Sequence, residues 1–226
     1  MEKSILLTVS LLFFMGSPSK CGTTLRPLRQ FSLVWCMENP IEMNSFTQQA
    51  MESHYVPSKD AGIHQLLLFH GEYCPWQFGG KTNYGLALTT SYTYKAIKFN
   101  GQANLDQFSI DIFTIGLGPA FYYHFIQEPQ FKIRSGCLIT MGIFYTNYQF
   151  YPGDQDSGTS FNTQILIPVQ MTFLQMNQTL VALEAGLKFS RSQSVRLTLN
   201  DTRGSFSYIS PGIFFGLTFI FNQRAL

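Results

Sequence analysis

Residues able to do chemistry are few in this chain, and they are scattered. The four histidines, His54, His64, His70 and His124, have neither the HExxH nor the paired spacing through which imidazoles hold a zinc ion. No GxSxG turn, Walker loop or GxGxxG opening a helix occurs. Ser190, Ser192, Ser194 and Asp201 crowd one stretch. A hydrolytic or acyl-transfer site there would need an imidazole base within reach, and His54 or His64 would have to supply it from far up the chain. The four cysteines, Cys21, Cys36, Cys74 and Cys137, make neither a disulfide framework nor a zinc pattern. Cys21 and Cys36 could close a small loop, pairing among Cys21, Cys36 and Cys74 stays open, and Cys137 sits in an apolar run as a small hydrophobe. These residues predict no catalytic group, no metal site and no cofactor. The strongest polar cluster is Arg134, Glu184 and Lys188: the last two share one face of a strand, and Arg134 could meet Glu184 across a closed sheet. Charges buried in that way must pair to offset desolvation, so the cluster is expected to be an ion-pair plug.

The elements that must carry these side chains have a period of two. From 108 to 125 the odd positions include Phe113, Ile115, Leu117, Phe121 and Phe125, and the even ones Thr114, Gly116, Gly118 and Ala120. The runs 131–150, 161–176, 180–190, 209–221 and 84–94 repeat this, and only strand geometry sorts them cleanly. In a soluble sandwich the second face would carry Lys and Glu for water. Here it is Gly, Ala, Thr, Ser and Gln, which suit a cramped barrel interior, while the bulky face suits lipid. Tyr92, Tyr94, Tyr123, Phe125 and Tyr145 near strand ends suit aromatic girdles.

Composition and the N-terminus agree. Of 226 residues, 45% are hydrophobic, 15% aromatic and only 12% charged, with a formal net charge of +2. That balance excludes a disordered tail or a coiled coil, and it lacks the basic stripe of a nucleic-acid binder. A polar Met1–Lys3 precedes an apolar Ile5–Met15 and the small Ser17 and Ser19, so residues 1–19 are expected to be a secretory signal too short to span a bilayer.

Six alternating runs lie beyond Asn83. Adding Gln30–Met37 and Ile63–Gly71 gives eight strands, so the fold class is all-β, an antiparallel up-and-down transmembrane β-barrel. Residues 20–61 then hold the first strand and an external loop, Glu38–Asp60, in which Ser45–His54 could form one or two helical turns; residues 62–226 hold the rest of the barrel. Gln127–Gln130 and Met176–Thr179 are tight connections, and Phe99–Gln107, Tyr151–Ser160 and Asn200–Ser205 longer ones. Eight strands enclose a space that side chains fill, with Tyr122, Phe144, Leu166 and Phe214 pointing inward.

The signal, the alternation and the terminal Phe219-Ile220-Phe221 resemble the small eight-stranded bacterial outer-membrane barrels, the family of the OmpA transmembrane domain and OmpW, over about residues 62–226. Asn222–Leu226 depart from the pattern, since the family usually ends on the aromatic residue. The resemblance implies residence in the bacterial outer membrane, contact with its lipid, insertion by the barrel-assembly machinery and a monomer with no nucleic-acid partner. The expected role is structural or surface recognition through the external loops, with a surface ligand as a possible partner and the interior plugged or forming at most a narrow pore or apolar pocket. The alternatives are a lipid A-modifying barrel enzyme, either hydrolase or acyltransferase, or a secreted lipocalin-like carrier bearing glycans at Asn177 and Asn200.

Overall fold

The computed structural model describes residues 28–53, 63–98, 106–128, 131–150, 153–176, 179–199 and 202–221. The expected signal segment, Cys21, His54, Asn177, Asn200 and Asp201 lie outside them. In chain order the elements are β1 (Leu28–Glu38), α1 (Ile41–Ser53), β2 (Gln65–Phe78), β3 (Thr82–Lys98), β4 (Asp106–Gln127), β5 (Lys132–Phe150), β6 (Asp154–Met176), β7 (Thr179–Ser192), β8 (Val195–Leu199), β9 (Thr202–Phe206) and β10 (Ile209–Phe221). Eight of the strands close a barrel in the order β1-β10-β7-β6-β5-β4-β3-β2, with every neighbouring pair antiparallel. Closure is made between β1 and β10, where Phe31 opposes Phe219 and Trp35 opposes Phe215. Strands β8 and β9 form a separate hairpin.

Alternation puts the bulky residues outside. Phe31, Leu33, Trp35 and Met37 on β1, Ile115 and Leu117 on β4, and Ile213, Phe215 and Leu217 on β10 are all exposed. Such a surface would be costly in water, whereas a closed barrel with an apolar belt satisfies its backbone without an edge and crosses a bilayer. Tyr92, Tyr94 and Tyr145 border the belt at one end and Tyr123 and Phe125 at the other, all exposed. No described helix is long and apolar enough to cross a membrane; the strands do so. A single-chain barrel of even strand number with this belt is a bacterial outer-membrane protein.

The wall is lopsided. Strands β1, β2, β7 and β10 run 11 to 14 residues, near the ~9–11 that a bilayer demands, whereas β3 to β6 run 17 to 23. The surplus rises above Tyr145 and Phe161, at the end opposite residues 28 and 221, which we call the outer end. The strands therefore claim more chain than the expected loops allow: β6 starts at Asp154, inside the loop expected from Tyr151 to Ser160, and β9 occupies most of the connection expected from Asn200 to Ser205. The tight connection expected from Gln127 to Gln130 begins on the last residue of β4. At the inner end, Gly79 and Gly80 take φ of 61° and 69°, left-handed values that let β2 reverse into β3.

Above the short strands the opening is covered. The helix α1 is longer than the one or two turns expected and buries Met43, Phe46, Thr47, Ala50 and Met51. Hairpin residues Val195, Leu197, Leu199 and Phe206 join them, against Phe108, Ile110, Tyr148 and Phe150 on the inner face of β4 and β5. Two glycines admit this packing. A Cβ on Gly158 would stand 2.2 Å from Val195, and one on Gly204 2.8 Å from the Phe46 ring.

Candidate functional site

The interior at belt height is polar where most protein cores are apolar. Arg134 projects from β5, Glu184 and Lys188 from β7, and His70 and Glu72 from β2, all buried. Alternation dictates this placement, because these side chains share their rows with Gly136, Gly186 and Leu68 while the intervening residues face lipid.

The contacts form one network. Arg134 donates through Nε to Gln170 Oε1 at 2.6 Å and through Nη2 to Gln30 Oε1. Gln170 Nε2 donates to Glu184 Oε2 at 3.2 Å, which also accepts from the Thr218 hydroxyl. His70 lies between two carboxylates: Nδ1 is 2.5 Å from Glu72 Oε1, and Nε2 is 3.0 Å from Glu184 Oε1, close enough for an ion pair though poorly aligned for a hydrogen bond. Tyr122 Oη donates to Glu72 at 3.3 Å, and the Arg134 guanidinium sits 5.3 Å over the Tyr122 ring. The network gathers side chains from β1, β2, β4, β5, β6, β7 and β10, so it ties the wall together around its circumference.

Of the cluster singled out in the sequence, Arg134 and Glu184 belong to this network, joined through Gln170 rather than directly. Lys188 does not. It pairs with Glu38 at 2.6 Å, both side chains fully buried, nearer the outer end. Glu38, expected to open a loop, instead closes β1 and faces inward. His70, Glu72, Gln30 and Gln170 were not singled out. The signal for the first two was present: His70 and Glu72 continue the inward row of Leu66 and Leu68, and β2 runs on past Gly71 to Phe78.

Charge bookkeeping explains the composition of the layer. Three buried carboxylates, Glu38, Glu72 and Glu184, face two permanent cations, Arg134 and Lys188. His70, with a carboxylate oxygen beside each ring nitrogen, supplies the third positive charge as an imidazolium. With His70 charged the lumen is neutral, which a low-dielectric site requires. Several atoms, among them Gln30 Nε2, Glu72 Oε2 and the Ser190 hydroxyl, are buried without a protein partner; bound water commonly serves such groups. Tyr122, Phe144, Leu166 and Phe214 fill space beside these charges, all buried.

The other chemistry-bearing residues do not converge. His124 pairs with Asn83 at 2.7 Å near the inner end. His64 is exposed at the rim, while Ser190 and Ser192 are buried and the Ser192 hydroxyl donates to Gln193 and accepts from the Tyr208 amide. Cys36, Cys74 and Cys137 are free thiols. Among the described residues no group of three or more His, Cys, Asp or Glu is arranged to hold a metal ion.

No protein-family model matches the chain, and no curated protein matches it. Among solved structures, Neisserial surface protein A is similar over 84% of this chain and 95% of its own, at 11% identity and a TM-score of 0.45. Ail, the attachment invasion locus protein of Yersinia pestis, seen with the heparin analogue sucrose octasulfate, covers 87% of this chain and 100% of its own at 10% identity and 0.40. The outer membrane protease OmpT from Escherichia coli covers 90% and 98% at 8% identity and 0.37. These likenesses assign this chain neither an activity nor a ligand.

Proposed function

We propose that this outer-membrane β-barrel is a sealed, non-enzymatic scaffold that carries a folded cap for surface recognition or envelope structure. The observation that carries this reading is a double closure. The ionic network crosses the lumen at belt height, and the apolar core of α1, β8 and β9 closes the outer mouth above it. Side chains fill the interior of an eight-stranded barrel, and two stacked layers across the axis support a blocked lumen. Catalysis by the serines near the rim would need an imidazole beside them, but the described imidazole contacts run from His70 to Glu72 and Glu184 and from His124 to Asn83. Recognition belongs to the outer end, because the parts of a rigid scaffold that face the surroundings commonly carry it. Planar-bilayer recording tests the reading: the purified barrel is expected to show small or no conductance, and a large, steady conductance would end it.

A further inference from the structure

We propose that the open edge of the cap hairpin binds an extended peptide segment of a partner protein, which adds as a third strand beside β9 and lies over α1. The inference rests on the recognition reading above and names the class of partner.

Register shows which backbone groups point outward. Leu199 opposes Thr202 at the turn, so the pairs Leu199 with Thr202, Leu197 with Gly204 and Val195 with Phe206 exchange the hairpin's hydrogen bonds. The residues between them turn their N–H and C=O groups away from the partner strand. The two outer edges then differ. On β8 the Thr198 amide is taken by Asp156 Oδ2 at 2.5 Å, and a Cβ on Gly158 would stand 3.7 Å from the Arg196 carbonyl oxygen, so β6 covers that side. On β9 the corresponding row is Arg203 and Ser205, continued by Ser207. Glu42 on α1 accepts from the Ser207 amide at 2.8 Å. Among the described residues nothing pairs with the outward N–H and C=O groups of Arg203 and Ser205, and both residues are exposed.

Beside that edge runs a groove of about 330 Å³, bounded by Gly204 and Ser205 on one side and by Ile41, Ser45 and Gln49 on the other, with Phe46 at its floor. The three helix residues recur every four positions and form one stripe. All are exposed, and the apolar Ile41 is 67% exposed. Phe46 lies against Gly204 and Glu42 holds Ser207, so α1 runs antiparallel to β9 and its stripe follows the open edge.

An extended chain suits this place. Its backbone supplies the donors and acceptors that an unpaired edge lacks. Its side chains alternate between two faces: one lies level with Arg203 and favours an acidic residue, and the other covers Ile41 and favours an apolar one. A helical partner has its own backbone bonds closed and would leave the edge unpaired.

The test uses the full chain in lipid nanodiscs, with a phage-displayed library of random octapeptides as the probe. Selection should enrich peptides that alternate acidic and apolar residues. Ser205→Pro removes the edge N–H and spares the bonds to β8, so it should weaken the selected peptides about tenfold, whereas Ser205→Ala keeps the amide and should bind as the parent does. Methylating alternate backbone nitrogens of a selected peptide should match the proline's effect on the unaltered chain. Absence of enrichment over protein-free nanodiscs, or equal binding by the Ser205→Pro chain, would overturn the proposal. Sedimentation showing a dimer that Ser205→Pro dissolves would also overturn it, by giving the edge to a second copy. Planar-bilayer recording on the same preparation separates the two readings: a large, steady conductance ends the scaffold reading, whereas a blocked barrel without peptide preference defeats this one alone.

Discussion

On β5, at belt height, Met141 and Ile143 face outward and Thr140 and Gly142 lie on the inner row; higher on the same strand Asn147 and Gln149 turn outward while Tyr148 and Phe150 are buried within. The inversion divides the molecule into two interiors. Within the belt the inside is ionic, with Arg134, His70 and three carboxylates. Above it the inside is a conventional apolar core, where Phe46, Phe108, Tyr148 and Phe206 meet ring to ring. The difference follows from the solvent on the outer side of the wall. Lipid takes up the bulky face without cost, so the strand's apolar residues are spent outward and polar side chains are left to fill the lumen. Water rewards the reverse, and the extension folds as a small soluble domain would.

The two interiors should therefore fail differently. The largest effect is expected in the ionic one: Arg134→Met strips the counter-charge from a buried network and should cost about 3–5 kcal/mol, read as urea unfolding in lipid vesicles. Adding Glu184→Leu should recover much of that loss, because His70 and Glu72 still balance each other. A single variant as stable as the parent would show that the network contributes nothing.

In the cap, Phe46→Ala empties a ring-sized space and should cost about 3 kcal/mol locally. Faster proteolysis of α1 with heat-modifiable migration unchanged is the expected result. Loss of that migration instead would mean that the two interiors form one cooperative unit.

The smallest effect concerns a single hydroxyl. The Thr47 and Tyr148 side chains are hydrogen-bonded at 2.7 Å, and Thr47 also donates to the Met43 carbonyl. Tyr148→Phe leaves Thr47 that second partner, so the loss should be about 1 kcal/mol, or roughly fivefold faster amide exchange in α1. Exchange that rose equally in the belt strands would deny the cap its independence.

Alternation along the chain was enough to mark six strands and their outward apolar face, because a period of two is a local property that each strand carries by itself, and the count of eight needed the β-like stretches at 30–37 and 63–71 as well. It also placed Arg134, Glu184 and Lys188 on inward rows. Which charges meet was decided only by closure. Lys188 pairs with Glu38, 150 positions away, and His70 stands between Glu72 and Glu184, since the stagger of eight strands sets those heights and no short stretch of sequence encodes it. The cap is a second such case. Phe46, Val195 and Phe206 look like stray apolar residues in polar connections until the tall β4 and β5 give them a wall to pack against. Burial between segments that far apart in sequence is a property of the folded chain alone.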